Sequence, residues 1–144
     1  MCINPSSSIS STASEPFATG IAFMDESHQL LHAKLDRLSL ASDAEFTAGF
    51  ESLICQVHDH FKEEEQAMNE IGFPGISCHR DQHAQALNAL EHARLRIKDG
   101  AVTEGREIAV LFSRWLGFHI ATMDRMLASA MQHAEALEPT CVAS

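Results

Sequence analysis

The chain reads as an all-α protein, an antiparallel up-down-up-down four-helix bundle. Three observations predict this. Apolar residues recur at spacings of four and three along four separate stretches, the pattern of helices that each bury one stripe. Sustained two-residue alternation and hairpin dipeptides between β-branched runs are absent, so nothing argues for strands. The connections between the four stretches are short, which sets successive helices antiparallel beside one another.

The first helix is expected from about Ile21 to Leu40, with Met24, His28, Leu31, Leu35 and Leu38 facing inward. The second opens on Ser42-Asp43-Ala44-Glu45, a capping box in which Ser42 caps and Glu45 reaches back. Its seam is Phe46, Phe50, Leu53, Val57, His60, Glu64, Ala67 and Ile71, an unbroken four-three repeat that stops at Gly72-Phe73-Pro74-Gly75. The third is expected to start with Ser77 as its cap. Its seam is His79, His83, Ala86, Leu90, Ala93 and Ile97, and it ends near Lys98-Asp99-Gly100. The fourth runs from about Thr103 to about Ala136. It carries one stripe of Ile108, Phe112, Trp115, His119 and Met126 and a second of Leu116, Ile120, Asp124, Leu127 and Met131.

The ends differ from this middle. Residues 1–16 are rich in Ser, contain two prolines, and have too few large apolar groups to order themselves, so a disordered arm is expected there. The bundle is assigned to 17–137, and 138–144, beginning Glu138-Pro139, is expected to be a flexible tail. A chain of 144 residues with 45 % apolar content suits one domain with a workable core. The formal net charge of -10 argues against nucleic acid and anionic membrane surfaces as partners. No apolar run is long enough to span a bilayer, and residues 1–16 lack the basic and apolar regions of a signal peptide. With Cys2, Cys55, Cys78 and Cys141 forming no CxxC pair, the expectation is a cytoplasmic protein with reduced thiols.

The informative residues are the polar ones on the apolar seams: His28, then His60 and Glu64, then His79 and His83, then His119 and Asp124. A single buried histidine is usually a hydrogen-bonded core residue. Seven such groups on four seams are different, because burying unpaired imidazoles and carboxylates costs several kcal/mol each unless something neutralises them. Few of the 10 Lys and Arg fall on these stripes, whereas a pair of metal ions would supply the neutralisation. His60 and Glu64 stand four apart on one helix face, as do His79 and His83. His119 and Asp124 stand five apart, about 140° around an ideal helix, so either they reach different sides of a site or the helix carries a π-bulge. Five imidazoles with two carboxylates as bridges form a mixed nitrogen and oxygen set, which with open positions points to two irons and oxygen chemistry.

The remaining histidines sharpen the choice. His58 faces away from His60; His92 and His133 have no partner at ligand spacing; His32, four residues after His28, is assigned to the flank of the site. Of Glu63, Glu64 and Glu65, only Glu64 lies on the seam. Asp25, one turn before His28, either orients that imidazole or is a solvated carboxylate.

At these positions the chain resembles the hemerythrin family, in its single-domain bacterial form. The matching stretches are Gly20-Ile21 through Met24-Asp25-Glu26-Ser27-His28, His60-Phe61-Lys62-Glu63-Glu64-Glu65 with Met68, His79 to His83, and Trp115-Leu116-Gly117-Phe118-His119-Ile120 through Asp124. The resemblance implies one iron held by His79, His83 and His119 and a second held by His28 and His60 with one position open. Glu64 and Asp124 would bridge the pair together with an oxo or hydroxo group. It implies reversible dioxygen binding for storage, delivery or sensing, with a protein partner if the role is sensory. The alternative is a di-iron redox enzyme: an oxidase, a peroxidase or a nitric oxide reductase. The chain has no Glu-x-x-His pair of the ferritin-like oxidases and no HExxH of zinc hydrolases.

Overall fold

The computed structural model describes residues 18–137. The expected arm at 1–16, Phe17, the expected tail at 138–144, Cys2 and Cys141 lie outside the described residues. Helices α1 (Ala22–Leu40), α2 (Asp43–Ile71) and α3 (Ile76–Lys98) are followed by a fourth rod in three parts. These are α4 (Val102–His119), a π-helical turn at Ile120–Asp124, and α5 (Arg125–Leu137). The described residues contain no strand, and none of their helices is long and apolar enough to cross a membrane. Each helix packs on the next, and the bundle closes where α1 meets α4 and α2 meets α5.

The chain-end chemistry of the helices sets the rods' limits. Ser42 accepts the backbone N–H of Glu45 while the Glu45 carboxylate accepts that of Ser42, so the capping box forms as expected. At the other end of α2, Gly72 takes φ +62°, a left-handed conformation that glycine adopts without penalty. The Phe73 N–H then reaches back to the Met68 carbonyl at 2.9 Å, closing the helix. The expectation for α3 is corrected: Ser77 is inside the helix, and Gly75 precedes it with no side-chain cap. The Phe73-Pro74-Gly75 turn itself starts the helix, through the Phe73 and Gly75 carbonyls that accept from Ile76 and His79.

The expected inward positions of α1 and α3 are all buried, as are those of α2 up to Ala67. The fourth rod departs from expectation. Phe112 and His119 are buried, as are Leu116, Ile120, Asp124 and Leu127 of the second expected stripe, but Met126 is 61 % exposed. The π turn is the cause, because it adds one residue before the inward face returns.

The core has two parts with the polar seam residues between them. The larger part includes Leu31, Leu35, Phe46, Phe50, Leu53, Val57, Leu90, Phe112 and Leu116. The smaller contains Met24, Met68, Phe73, Leu127 and Ala128, near the turn between α2 and α3. Arg106 ties α4 to the opposite end of the bundle. Its guanidinium donates to the Ala41 carbonyl at 2.7 Å, the Leu38 carbonyl at 3.4 Å and the Asp43 carboxylate at 2.9 Å, and lies over the Phe46 ring.

Candidate metal centre

All seven seam residues meet between the two core clusters, and each is at most 3 % exposed. Their position follows from helix phase: His60 and Glu64 sit one α turn apart, as do His79 and His83. His119 and Asp124 achieve the same alignment over five residues because the intervening turn is π-helical, with the Arg125 N–H bonded to the Ile120 carbonyl five residues back. The Thr122 hydroxyl donates to the Phe118 carbonyl at 2.8 Å where the ladder changes pitch.

The carboxylates stand at the centre, each with its two oxygens facing different imidazoles. Glu64 Oε1 lies 2.7 Å from His60 Nε2 and 3.4 Å from His28 Nε2, while Oε2 lies 3.1 Å from His83 Nε2 and 3.3 Å from His79 Nε2. Asp124 Oδ2 is 3.0 Å from His28 Nε2, and Oδ1 is 3.0 and 3.1 Å from the Nε2 atoms of His79 and His119. Two groups of donors result, His28, His60, Glu64 and Asp124 in one and Glu64, His79, His83, His119 and Asp124 in the other, each within 4.8 Å. Both carboxylates belong to both groups.

Electrostatics follow from this crowding. Burial pushes the His28 and His79 imidazoles down, but the Asp124 and Glu64 carboxylates outweigh it and carry both up to about 9. Burial likewise opposes ionisation of Glu64, yet four surrounding imidazoles hold it well below the usual carboxylate range. Asp124 is also lowered, despite burial and the Glu64 charge, by His119, His28 and His79. His119 is lowered by burial, which Asp124 does not fully offset.

The model for the hemerythrin HHE cation binding domain matches residues 19–131. The chain belongs to the hemerythrin family. Among curated relatives, a bacteriohemerythrin of Ralstonia nicotianae is 31 % identical over 81 % of this chain and 85 % of its own length. Those of Stenotrophomonas maltophilia and Methylococcus capsulatus are 29 % and 24 % identical, over 78 % and 80 % of this chain and 76 % and 90 % of their own lengths. No solved structure gives a significant match. For a member of a cation-binding hemerythrin family, a buried cluster of His, Glu and Asp fits a metal site.

The surroundings of this hemerythrin site include contacts that the sequence reading did not single out. His83 Nδ1 lies 3.3 Å from Glu65 Oε1, and His119 Nδ1 lies 2.9 Å from Gln82 Oε1. Phe61 stacks on His83 with ring centroids 3.8 Å apart, and Trp115 stacks on His119 at 4.6 Å. Asp25 does not orient His28: its carboxylate accepts from the Thr19 N–H and hydroxyl and from the Gly20 N–H, fastening the segment before α1. His32 stands outside both donor groups, beside a cleft of about 490 Å³ that His28 and Gln29 also line; burial and the neighbouring His28 lower its pKa. His58 is exposed and 3.8 Å from Glu91. Cys55 and Cys78 are free, exposed thiols.

Proposed function

We propose that this chain binds dioxygen reversibly at a pair of non-haem irons held by His28, His60, Glu64, His79, His83, His119 and Asp124. The observation that carries the reading is the unequal sharing of the two carboxylates, which face two imidazoles on one side and three on the other. An ion on the first side would meet four protein donors and one on the second five, so a position for an exogenous ligand would fall on the two-histidine side. The donor atoms also behave as atoms lacking partners. The Nε2 atoms of His28, His60 and His83 and all four carboxylate oxygens are buried without hydrogen-bond geometry to any neighbour, despite their closeness. A metal pair would satisfy them, and the mixed imidazole–carboxylate chemistry suits iron.

When bound, ferrous iron supplies the electrons that dioxygen takes up and returns on release. The protein's part is positional. Glu64 and Asp124 fix the separation of the two sites, the five imidazoles hold Nε2 inward, and an oxo or hydroxo bridge would complete the set. Leu31, Phe61, Leu116 and Ile120, all in the main core cluster, keep bulk water from the interior.

Optical spectra of the anaerobic ferrous protein before and after air test the proposal. A persistent oxygenated spectrum, reversed by removing oxygen, is the expected result. Immediate conversion to the ferric form would refute reversible binding and favour the redox-enzyme alternative, and absence of iron would refute the site.

A further inference from the structure

We propose that Glu65 and Gln82 are positioning residues that hold His83 and His119 ready for metal, so that the three-histidine end of the site fills first. This rests on the metal-centre reading above and adds an order of loading to it. A histidine offering Nε2 to a cation carries its proton on Nδ1, and an acceptor at Nδ1 fixes that tautomer and the ring's orientation. Such acceptors are unevenly distributed. On the three-histidine side, His83 Nδ1–H has the Glu65 carboxylate at 3.3 Å and His119 Nδ1–H has the Gln82 side-chain oxygen at 2.9 Å. On the two-histidine side, the Nδ1 atoms of both His28 and His60 are buried with no hydrogen-bond partner, whereas on the other side only that of His79 is.

The same two imidazoles, His83 and His119, are also stacked face to face on aromatic rings. Phe61 lies parallel to His83, with 2° between the planes, and Trp115 lies within 18° of parallel to His119. His28 and His60 meet each other edge to face at 71°, as His79 meets His83 at 70° and His119 at 77°. Glu65 is itself held from outside, with Arg80 Nε 3.8 Å from its second oxygen. Two imidazoles at one end are thus fixed by both a face and an edge, and those at the other end lack the edge contact.

The test is anaerobic titration of the metal-free full chain with Co(II), followed by visible absorbance and calorimetry. Two resolved steps are expected. Glu65→Ala and Gln82→Ala should each weaken the first step about 10–100-fold and leave the second unchanged. Glu65→Gln and Gln82→Glu, which retain an acceptor oxygen, should recover most of the loss. Thermal unfolding of each metal-free variant separates a binding effect from a folding defect. An unchanged first step, or equal weakening of both steps, would overturn the inference while leaving the metal site intact. Failure of the unaltered chain to take up cobalt would instead overturn the metal-centre reading on which the inference stands.

Discussion

Helix α2 and the fourth rod deliver site residues by different means. α2 runs 29 residues without interruption and presents His60 and Glu64 from one face of regular helix. The fourth rod must bring His119 and Asp124 together over five residues, and it does so with a π turn. In α2 the alignment belongs to the whole helix, so core and site share one register. In the fourth rod the alignment is local, and residues on either side of the turn keep separate registers: Phe112, Leu116 and His119 before it, Leu127 and Ala128 after it.

The largest effect that would break this comparison comes from single deletions. Removing Lys62 from α2 rotates everything after it by about 100°, turning Glu64, Ala67 and Met68 away from the interior. Loss of all bound iron and of cooperative unfolding is expected. Removing Ala121 should instead convert the π turn to α-helix and leave His119, Asp124 and Leu127 facing inward. Iron content per chain and thermal unfolding compare the two; equal damage would contradict the local role of the turn.

The register after the turn is open to a smaller probe. Leu127→Ala should cost about 2–5 kcal/mol in denaturant unfolding, and Met126→Ala should stay within about 0.5 kcal/mol. The reverse ranking would contradict the burial of Leu127 and the exposure of Met126.

Both regions also meet in the titration of the metal-free site. His28 and His79 are raised from 6.5 to about 9, so their stabilisation is complete below pH 6.5 and is lost as pH rises through about 9. Glu64 and Asp124 are lowered from 4.5 and 3.8, so theirs is present above those values and fades only as pH falls through the depressed ones. His119 is instead lowered, so its share is lost as pH falls below 6.5. The metal-free melting temperature should therefore be highest near pH 6.5 and should fall as pH rises from there to about 9. Metal uptake displaces the same protons, so apparent affinity should rise over the interval in which that melting temperature falls. Flat profiles in both measurements would contradict the ion pairing described here.

The smallest contrast is between two serines. Ser42→Ala should cost about 1 kcal/mol, because it removes a formed cap. Ser77→Ala should be close to neutral, within about 0.5 kcal/mol, and both are read by chemical denaturation.

The legible parts of the sequence were those governed by periodicity. Four seams gave the four rods, and the polar interruptions of those seams are the side chains that converge. The π turn was legible only as a choice, since a five-residue spacing also fits donors on two faces. Met126 turns outward because the π turn breaks the seven-residue phase that would set it under His119, whereas Leu127, on the second expected stripe, is buried. Ser77 was misjudged because a tight turn ending in Gly75 started the helix without a side-chain cap. Glu65 and Gln82 escaped notice because they reach their histidines across helix boundaries, from positions off the seams. Asp25 was ambiguous for a similar reason: its partners lie before the helix, where no repeat constrains them.

Arg106 gives the molecule a built-in polarity of motion. One side chain rivets three rods at the corner formed by Leu38, Ala41 and Asp43, while the far end relies on a smaller patch with two unbranched thioethers, Met24 and Met68. Amide protons beside the rivet should exchange with deuterium most slowly, and those around Phe73 should exchange sooner. A bundle pinned at one end should open from the other, here the end built around Met24, Met68 and Phe73.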